Sequence, residues 1–131
     1  MPVCYYIDKS TRLIVITFQG VVTEQEIAAD RERLAEDPEF NPAFSQLLDF
    51  RRVKQLHLSY STVSKIAQSS IFHPGIKKAF LAPTDLTYGF SRMYELLSDQ
   101  LNQQVQVFRQ PSQALQWLGI APDAITLEQN D

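Results

Sequence analysis

The pattern of apolar and polar residues at the start of the chain predicts a β-hairpin. Residues 3–7 and 13–18 are dominated by β-branched, aromatic and aliphatic side chains, which are typical of strands. The segment between them, Asp8-Lys9-Ser10-Thr11, is polar and fits a short turn. We therefore expect two antiparallel strands, the second of which ends at Gly20.

After the hairpin, helical and strand-like patterns alternate. Thr23-Glu24-Gln25-Glu26 has the form of a capping box, which predicts a helix over residues 24–36. The remaining elements are strands at residues 46–50, 79–82 and 105–108, and helices from residue 59, over 84–103 and from 111. This order predicts an α/β domain with a single mixed, mostly parallel five-stranded sheet, an N-terminal hairpin and about four helices.

The longest predicted helix carries one continuous apolar face. Leu86, Phe90, Met93, Leu97 and Leu101 follow one another at spacings of three and four. Gly89 stands inside this helix, and we expect it to allow close packing against the sheet; the alternative is close approach of another backbone or of a ligand. Gly119 is placed to end the last helix as its C′ residue.

Length and composition bound the domain organisation and the class of partner. The 131 residues fit one domain, which we place at 1–121, followed by a polar, flexible tail at 122–131. The 12 basic and 15 acidic residues give a net charge of −3, which argues against a nucleic-acid partner. The start of the chain lacks the pattern of a signal peptide, and no apolar run is long enough to span a membrane. We therefore expect a cytoplasmic protein.

The sequence contains no recognisable catalytic or metal-binding set. His57 and His73 are its only histidines, and neither has metal-ligand spacing to the other or to Cys4. Neither glycine fingerprint for phosphate binding is present. Asp49 stands at a strand end, where a carboxylate more often caps the following turn than acts as a catalytic acid. We expect no enzyme activity, no metal and no cofactor.

Several segments together carry a family resemblance that covers the chain up to about Ile120. They are Tyr5-Tyr6-Ile7, Leu13-Ile14-Val15-Ile16, Phe18-Gln19-Gly20-Val21-Val22-Thr23, Leu47-Leu48-Asp49-Phe50 and Ala114-Leu115-Gln116-Trp117-Leu118. The combination resembles the STAS-like (anti-sigma-factor-antagonist-like) domains, in particular the SpoIIAA-like branch of bacterial proteins. The resemblance implies the mixed α/β fold described above.

The resemblance also implies two different functions. In regulatory relatives, a partner kinase phosphorylates a serine at the start of the helix that follows the third strand. Ser59 stands at this place, although the Asp before it and the Gly after it are absent here. The alternative for Ser59 is a plain helix N-cap. Other relatives resemble lipid-transfer domains and bind apolar ligands.

A basic segment supplies the candidate binding face. Residues 51–58 are predicted to form a loop at the carboxyl edge of the sheet, where open α/β sheets bind ligands. The candidate residues for an anion or partner face are Arg51, Arg52, Lys54 and His57 from this loop and Tyr88 and Arg92 from the long helix. The alternative is a solvated loop, with Arg92 either paired to Glu95 or packed against Tyr88.

The sequence therefore favours a non-enzymatic regulatory or protein-interaction domain. Its partner would be another protein or a second copy of the chain, and Tyr5 or Tyr6 would contribute to that surface because their side chains point to opposite faces of a strand. The alternative function is a carrier that holds a small apolar or amphiphilic ligand between the long helix and the sheet.

Overall fold

The structure is a computed structural model that describes residues 2–68, 70–73, 75–99, 103–125 and 127. Strands and helices alternate after an initial strand pair. In chain order they are β1 (Val3–Asp8), β2 (Leu13–Thr23), α1 (Glu24–Glu36), β3 (Ser45–His57), α2 (Tyr60–Gln68), β4 (Lys77–Leu81), α3 (Asp85–Asp99), β5 (Gln104–Phe108) and α4 (Pro111–Leu118). The expected order of elements is confirmed.

The five strands form one mixed sheet whose strand order is β1-β2-β3-β4-β5. β1 and β2 pair antiparallel, with Val3 opposite Phe18, as the hairpin pattern predicted. The other neighbouring pairs are parallel. The predicted fold class is therefore confirmed.

Helices cover both faces of this sheet. Successive strand residues point to opposite sides, and apolar residues are present on both sides. On the helix-rich face, strand residues such as Ile14, Ile16 and Phe80 pack in one cluster with side chains of α1, α2 and α3. On the α4 face, Leu13, Val15, Leu47, Ala79 and Leu81 pack with Ala114 and Leu115 of α4. Three helices thus cover one face, and one helix covers the other.

The second strand is longer than the sequence pattern predicted. Gly20 does not end β2, which continues to Thr23. The backbone φ of Gly20 is +67°, and the register between β2 and β3 shifts next to it. Because glycine has no Cβ, it adopts this conformation without steric cost. Gly20 therefore lets β2 continue through an irregularity and does not end the strand.

The prediction of a basic loop at residues 51–58 is wrong, because β3 runs to His57. Between the pairs Thr17–Asp49 and Gln19–Arg52, β3 advances three residues while β2 advances two. A second extra residue lies between Val53 and Gln55. These bulges interrupt the alternation of apolar and polar residues, which is why the pattern did not predict a strand.

The ends of two helices follow the sequence signals closely. At the start of α1, Glu26 Oε1 accepts hydrogen bonds from the Thr23 backbone N–H at 3.1 Å and from its hydroxyl at 2.9 Å. At the end of α4, Gly119 has a φ of 76° and Ile120 N–H donates to Leu115 O at 2.9 Å. The predicted capping box and the predicted glycine cap are both confirmed.

The long helix differs from its prediction at Gly89. Gly89 does not pack closely against the sheet: it is exposed, and a Cβ placed on it would meet no atom within 4 Å. Leu101 lies outside the described residues. The described part of the chain contains no helix with the length and apolar character needed to cross a bilayer.

Candidate functional site

A cavity lies between the helix-rich face of the sheet and the three helices that cover it. Its volume is about 110 Å³. This is somewhat smaller than an apolar cavity of roughly 150 Å³ that binds benzene in a protein interior. Aliphatic and aromatic side chains from β1 to β4 and from α1, α2 and α3 form most of its wall. The site expected between the long helix and the sheet therefore contains open space, which we call the pocket.

A row of four aromatic rings forms the centre of the pocket wall. Phe18 on β2 stacks on Phe50 on β3, with 4.3 Å between ring centroids and 5° between planes. Phe50 stacks on Phe80 at 5.7 Å, and Phe80 lies 5.0 Å from Tyr94 of α3. β2, β3 and β4 each supply one of these rings, and α3 supplies the fourth. The row gives the pocket a rigid apolar wall.

One end of the pocket is polar and carries a buried lysine. Lys78 lies on β4 two residues before Phe80, on the same face, and is 4% exposed. Its Nζ donates hydrogen bonds to Ser70 Oγ at 3.1 Å, Tyr94 Oη at 3.2 Å and Gln103 Oε1 at 3.1 Å. All three donors of the ammonium group are therefore used, and all three acceptors are neutral.

Burial changes the protonation of the groups around this lysine. Loss of hydration, reinforced by the nearby charge of Arg31, lowers the pKa of Lys78 to about 8. Desolvation also lowers the pKa of Arg31 on α1. Burial raises the pKa of Tyr94 to about 12, so its hydroxyl stays protonated at neutral pH. The polar end of the pocket thus contains two incompletely hydrated cations.

Gln46 is the β3 residue directly opposite Lys78 in the parallel pair. It is 3% exposed and lines the pocket, and its Nε2 has no hydrogen-bond partner among the described residues. A buried amide that donates no hydrogen bond costs about 1–3 kcal/mol. The same end of the pocket therefore contains an unused donor.

The predicted site residues did not include this cluster. The sequence pattern puts Lys78 just before the fourth strand, Gln46 at the start of the third strand and Arg31 in the first helix. The signal was present, because Lys78 precedes Phe80 by two residues and Gln46 precedes Leu48 by two, so each shares a strand face with an apolar neighbour. Across the described residues, no group of three or more His, Cys, Asp and Glu side chains is arranged to hold a metal.

Comparison with solved structures identifies the fold. The chain is similar to the crystal structure of an uncharacterized protein of the DUF3478 family from Shewanella loihica PV-4, whose fold is described as SpoIIAA-like. The TM-score is 0.62, with 17% sequence identity, over 88% of this chain and 93% of that one. This chain has a SpoIIAA-like fold. No family model and no curated protein sequence matches it.

Within the SpoIIAA-like fold, Ser59 caps the start of α2. Its Oγ accepts a hydrogen bond from Thr62 N–H at 3.1 Å, and its hydroxyl donates to Thr62 Oγ1 at 3.1 Å. Tyr60, the next residue, is 62% exposed. Ser59 is thus accessible and acts as a helix cap, and its phosphorylation stays a prediction.

The basic residues predicted for an anion or partner face are distributed along β3 of the SpoIIAA-like sheet. Arg51 is bound to Asp49 through Nη2 and Oδ2 at 2.9 Å, and the side chain of each is about 10% exposed. Lys54 and His57 are exposed, and His57 Nε2 lies 3.0 Å from Gln55 Oε1. Arg52 is half-buried. Asp49 also accepts the backbone N–H of Arg51 at 3.0 Å, but it does so inside β3, so the expected cap of a following turn is wrong.

Tyr88 and Arg92, the two α3 residues predicted for the anion or partner face, contact residues other than the cations of β3. Arg92 pairs with Glu95, which is one of the two arrangements expected for it. Arg109 lies over the Tyr88 ring, 4.4 Å from its centroid. β4 ends at Leu81, which is opposite Asp49, whereas β3 continues for eight residues beyond that pair. The first turns of α2 and α3 therefore do not begin at the same level of the sheet.

Proposed function

We propose that this protein is a non-enzymatic binding domain that holds a small apolar or amphiphilic ligand in the pocket. The observation that carries the proposal is the pocket itself, which lies between the sheet and α1–α3 with the aromatic row as its wall. A well-packed domain of this size has few voids larger than a water molecule. Binding a ligand would replace the contacts that the pocket-lining side chains lack without it.

The polar groups at one end of the pocket would fix the orientation of a bound ligand. Ligand sites are mostly apolar, with a few polar groups that fix the orientation of the ligand. Here the polar groups (Lys78, Gln46 and Ser70) share one end, and the aromatic row lies beyond them. This arrangement suits a molecule with one polar end and an apolar body.

The first test is extraction of the protein, purified from its own host, with organic solvent and mass spectrometry of the extract. We expect a bound small molecule in about one copy per chain. A second test adds 1-octanol to the ligand-free protein and follows the backbone amide signals by NMR. Shifts confined to residues around the pocket would support the proposal.

A pair of tryptophan substitutions checks the location. Ile66→Trp places a larger side chain at the pocket wall, whereas Leu96→Trp adds the same side chain on the outer face of α3, where Leu96 is 58% exposed. We expect Ile66→Trp to abolish octanol binding and Leu96→Trp to leave it unchanged. Equal binding by both variants, in folded protein, would rule out this pocket as the site.

A protein-interaction role is the second candidate. The observation that favours it is the exposed aromatic ring of Tyr60 next to the accessible Ser59 hydroxyl. A phosphate there would add charge at the positive end of α2. Mass spectrometry of the intact protein from its host would show a single added phosphate on Ser59, and an unmodified serine under all growth conditions would exclude the phosphorylation.

A further inference from the structure

The buried ammonium group of Lys78 is hydrogen-bonded only to neutral groups among the described residues. Its partners Ser70, Tyr94 and Gln103 are uncharged at neutral pH, and no carboxylate of the described residues is within ion-pair distance of it. The ring centroids of Phe72 and Tyr94 also lie near Nζ, at 5.6 Å and 5.7 Å, and neither ring carries a negative charge. Buried charges in proteins are ordinarily paired. Among the described residues, the charge of Lys78 therefore has no counter-ion.

A second cation faces the same space. Arg31 on α1 lines the pocket, and its charge contributes to the lowered pKa of Lys78. The two like charges repel each other in a partly dehydrated site, where such interactions are stronger than in water. An anion between them would relieve this repulsion.

Two acidic groups near the pocket, Asp30 and Glu95, are already engaged. Asp30 lines the pocket, and its Oδ1 accepts a hydrogen bond from Arg33 Nη2 at 3.0 Å. Glu95, next to Tyr94 in α3, pairs with Arg92. These carboxylates therefore have cationic partners other than Lys78, and neither is among the groups that shift the pKa of Lys78.

The unused amide donor gives independent evidence for an acceptor in the pocket. Gln46 Nε2 is buried, lines the pocket and donates to nothing in the described residues. Gln46 stands opposite Lys78 in the strand register, about 4.8 Å away across the sheet. An acceptor oxygen placed between the two side chains would satisfy the amide and face the ammonium group at once.

We propose that the pocket binds an alkyl carboxylate, with the carboxylate against Lys78, Arg31 and Gln46 Nε2 and the alkyl chain along the aromatic row. This inference rests on the proposed function and names the chemical class of its ligand. The Ser70 hydroxyl, which now accepts from Lys78, turns to donate to the carboxylate. Hydrogen bonds between ionised partners are about twice as strong as neutral ones.

The test compares three probes of the same chain length: octanoate, 1-octanol and octyltrimethylammonium. Each is titrated into the ligand-free protein at pH 7 and followed by NMR, including the side-chain amide signals of Gln46. We expect octanoate to bind roughly 10- to 100-fold more tightly than 1-octanol, as loss of a charge-assisted hydrogen bond predicts. We also expect only octanoate to shift the Gln46 side-chain signals strongly.

Two adjacent lysines provide the matched variants. Lys78→Met removes the buried charge and keeps a long unbranched side chain, and it should bring octanoate binding down to the level of octanol. Lys77→Met removes a charge from the opposite face of the same strand and should leave both affinities unchanged. Should Lys78→Met fail to fold, Gln46→Met removes the unused donor and should weaken octanoate binding several-fold while octanol binding is retained.

The outcomes separate this inference from the proposed function. Equal affinities for octanoate and octanol, unaffected by Lys78→Met, would overturn the carboxylate assignment and leave the binding function standing. Tighter binding of octyltrimethylammonium than of octanoate would overturn it as well. Failure of all three probes to bind would overturn the proposed function together with the inference.

Discussion

Lys77 and Lys78 are neighbours in β4, yet their ammonium groups lie on opposite faces of the sheet. Lys77 Nζ donates to Trp117 O at 2.9 Å and lies 5.2 Å from the centroid of the Trp117 ring, on the α4 face. Lys78 Nζ lies on the helix-rich face at the polar end of the pocket. The alternation of a strand thus gives two residues of the same type entirely different surroundings, and each serves as a control for the other.

We expect the stability of the protein to rise with pH as Lys78 loses its proton. The pKa of Lys78 is lowered to about 8 in the folded state from 10.5. Between these values the unfolded chain binds more protons than the folded one, so the free energy of unfolding increases with pH. The gain is on the order of 2 kcal/mol between pH 8 and 10.

Urea unfolding of wild type and Lys78→Met at several pH values in this window measures the effect. The other ionisable groups lining the pocket are Asp30, Arg31 and Tyr94. Tyr94 acts in the opposite direction only above about pH 10, because burial raises its pKa to about 12. The difference between wild type and Lys78→Met should therefore change with pH, while Lys77→Met follows the wild type. A constant difference would show that Lys78 is hydrated in solution.

The ion pair between Asp49 and Arg51 should matter far more for stability than an exposed pair. Asp49→Ala leaves a largely buried guanidinium without this partner, and we expect a loss of about 3 kcal/mol. Glu39→Ala breaks the exposed pair with Lys9 and should cost less than about 1 kcal/mol. Chemical denaturation of both variants gives the comparison, and equal losses would contradict the structural role assigned to Asp49.

Ser59→Ala should lower stability by about 1 kcal/mol, because Thr62 N–H loses its acceptor. Ser59→Asp keeps an acceptor at the N-terminus of α2 and should restore most of the loss. Ser64→Ala, inside the same helix, is the control and should be neutral or slightly stabilising. Thermal unfolding of the three variants decides whether Ser59 is an energetically important cap. No loss in Ser59→Ala would mean that the hydrogen bond to Thr62 does not contribute.

Two glycines should respond in opposite ways to alanine. Gly89→Ala adds a methyl group to an exposed position inside α3, where nothing lies within 4 Å, and should raise stability by about 1 kcal/mol. Gly119→Ala forces a Cβ onto a residue with a φ of 76° and should lower stability by about 1 kcal/mol. Melting temperatures of the two variants provide the measurement. Destabilisation by Gly89→Ala would reveal a close neighbour at that position.

The sequence predicted the order of the elements because most of them carry strong local signals. The capping box at Thr23 and the cap at Gly119 depend only on residues a few positions apart, and both are found as expected. The continuation of β2 and β3 was not predicted, because it depends on bulges that only the pairing of two strands produces. A cationic segment with interrupted alternation lacks the local signal of a strand.

The pocket was predicted as a location, between the long helix and the sheet, without the residues of its polar end. Lys78, Gln46 and Arg31 belong to three different elements, and their proximity follows from strand register and helix packing. A lysine next to another lysine is typical of a solvated strand end. The burial of Lys78 becomes evident only once β4 is known to start at Lys77 and to lie between β3 and β5.

The strand order of the sheet also determines how the chain can assemble. Because β1 to β5 lie side by side in the order in which they are synthesised, each new strand pairs with one that already precedes it on the chain. No strand has to be inserted between two others that are already paired. The side chains around Lys78, however, extend from α1 to Gln103, just before β5. The sheet can therefore grow one strand at a time on the ribosome, whereas the polar end of the pocket is completed only when most of the chain has emerged.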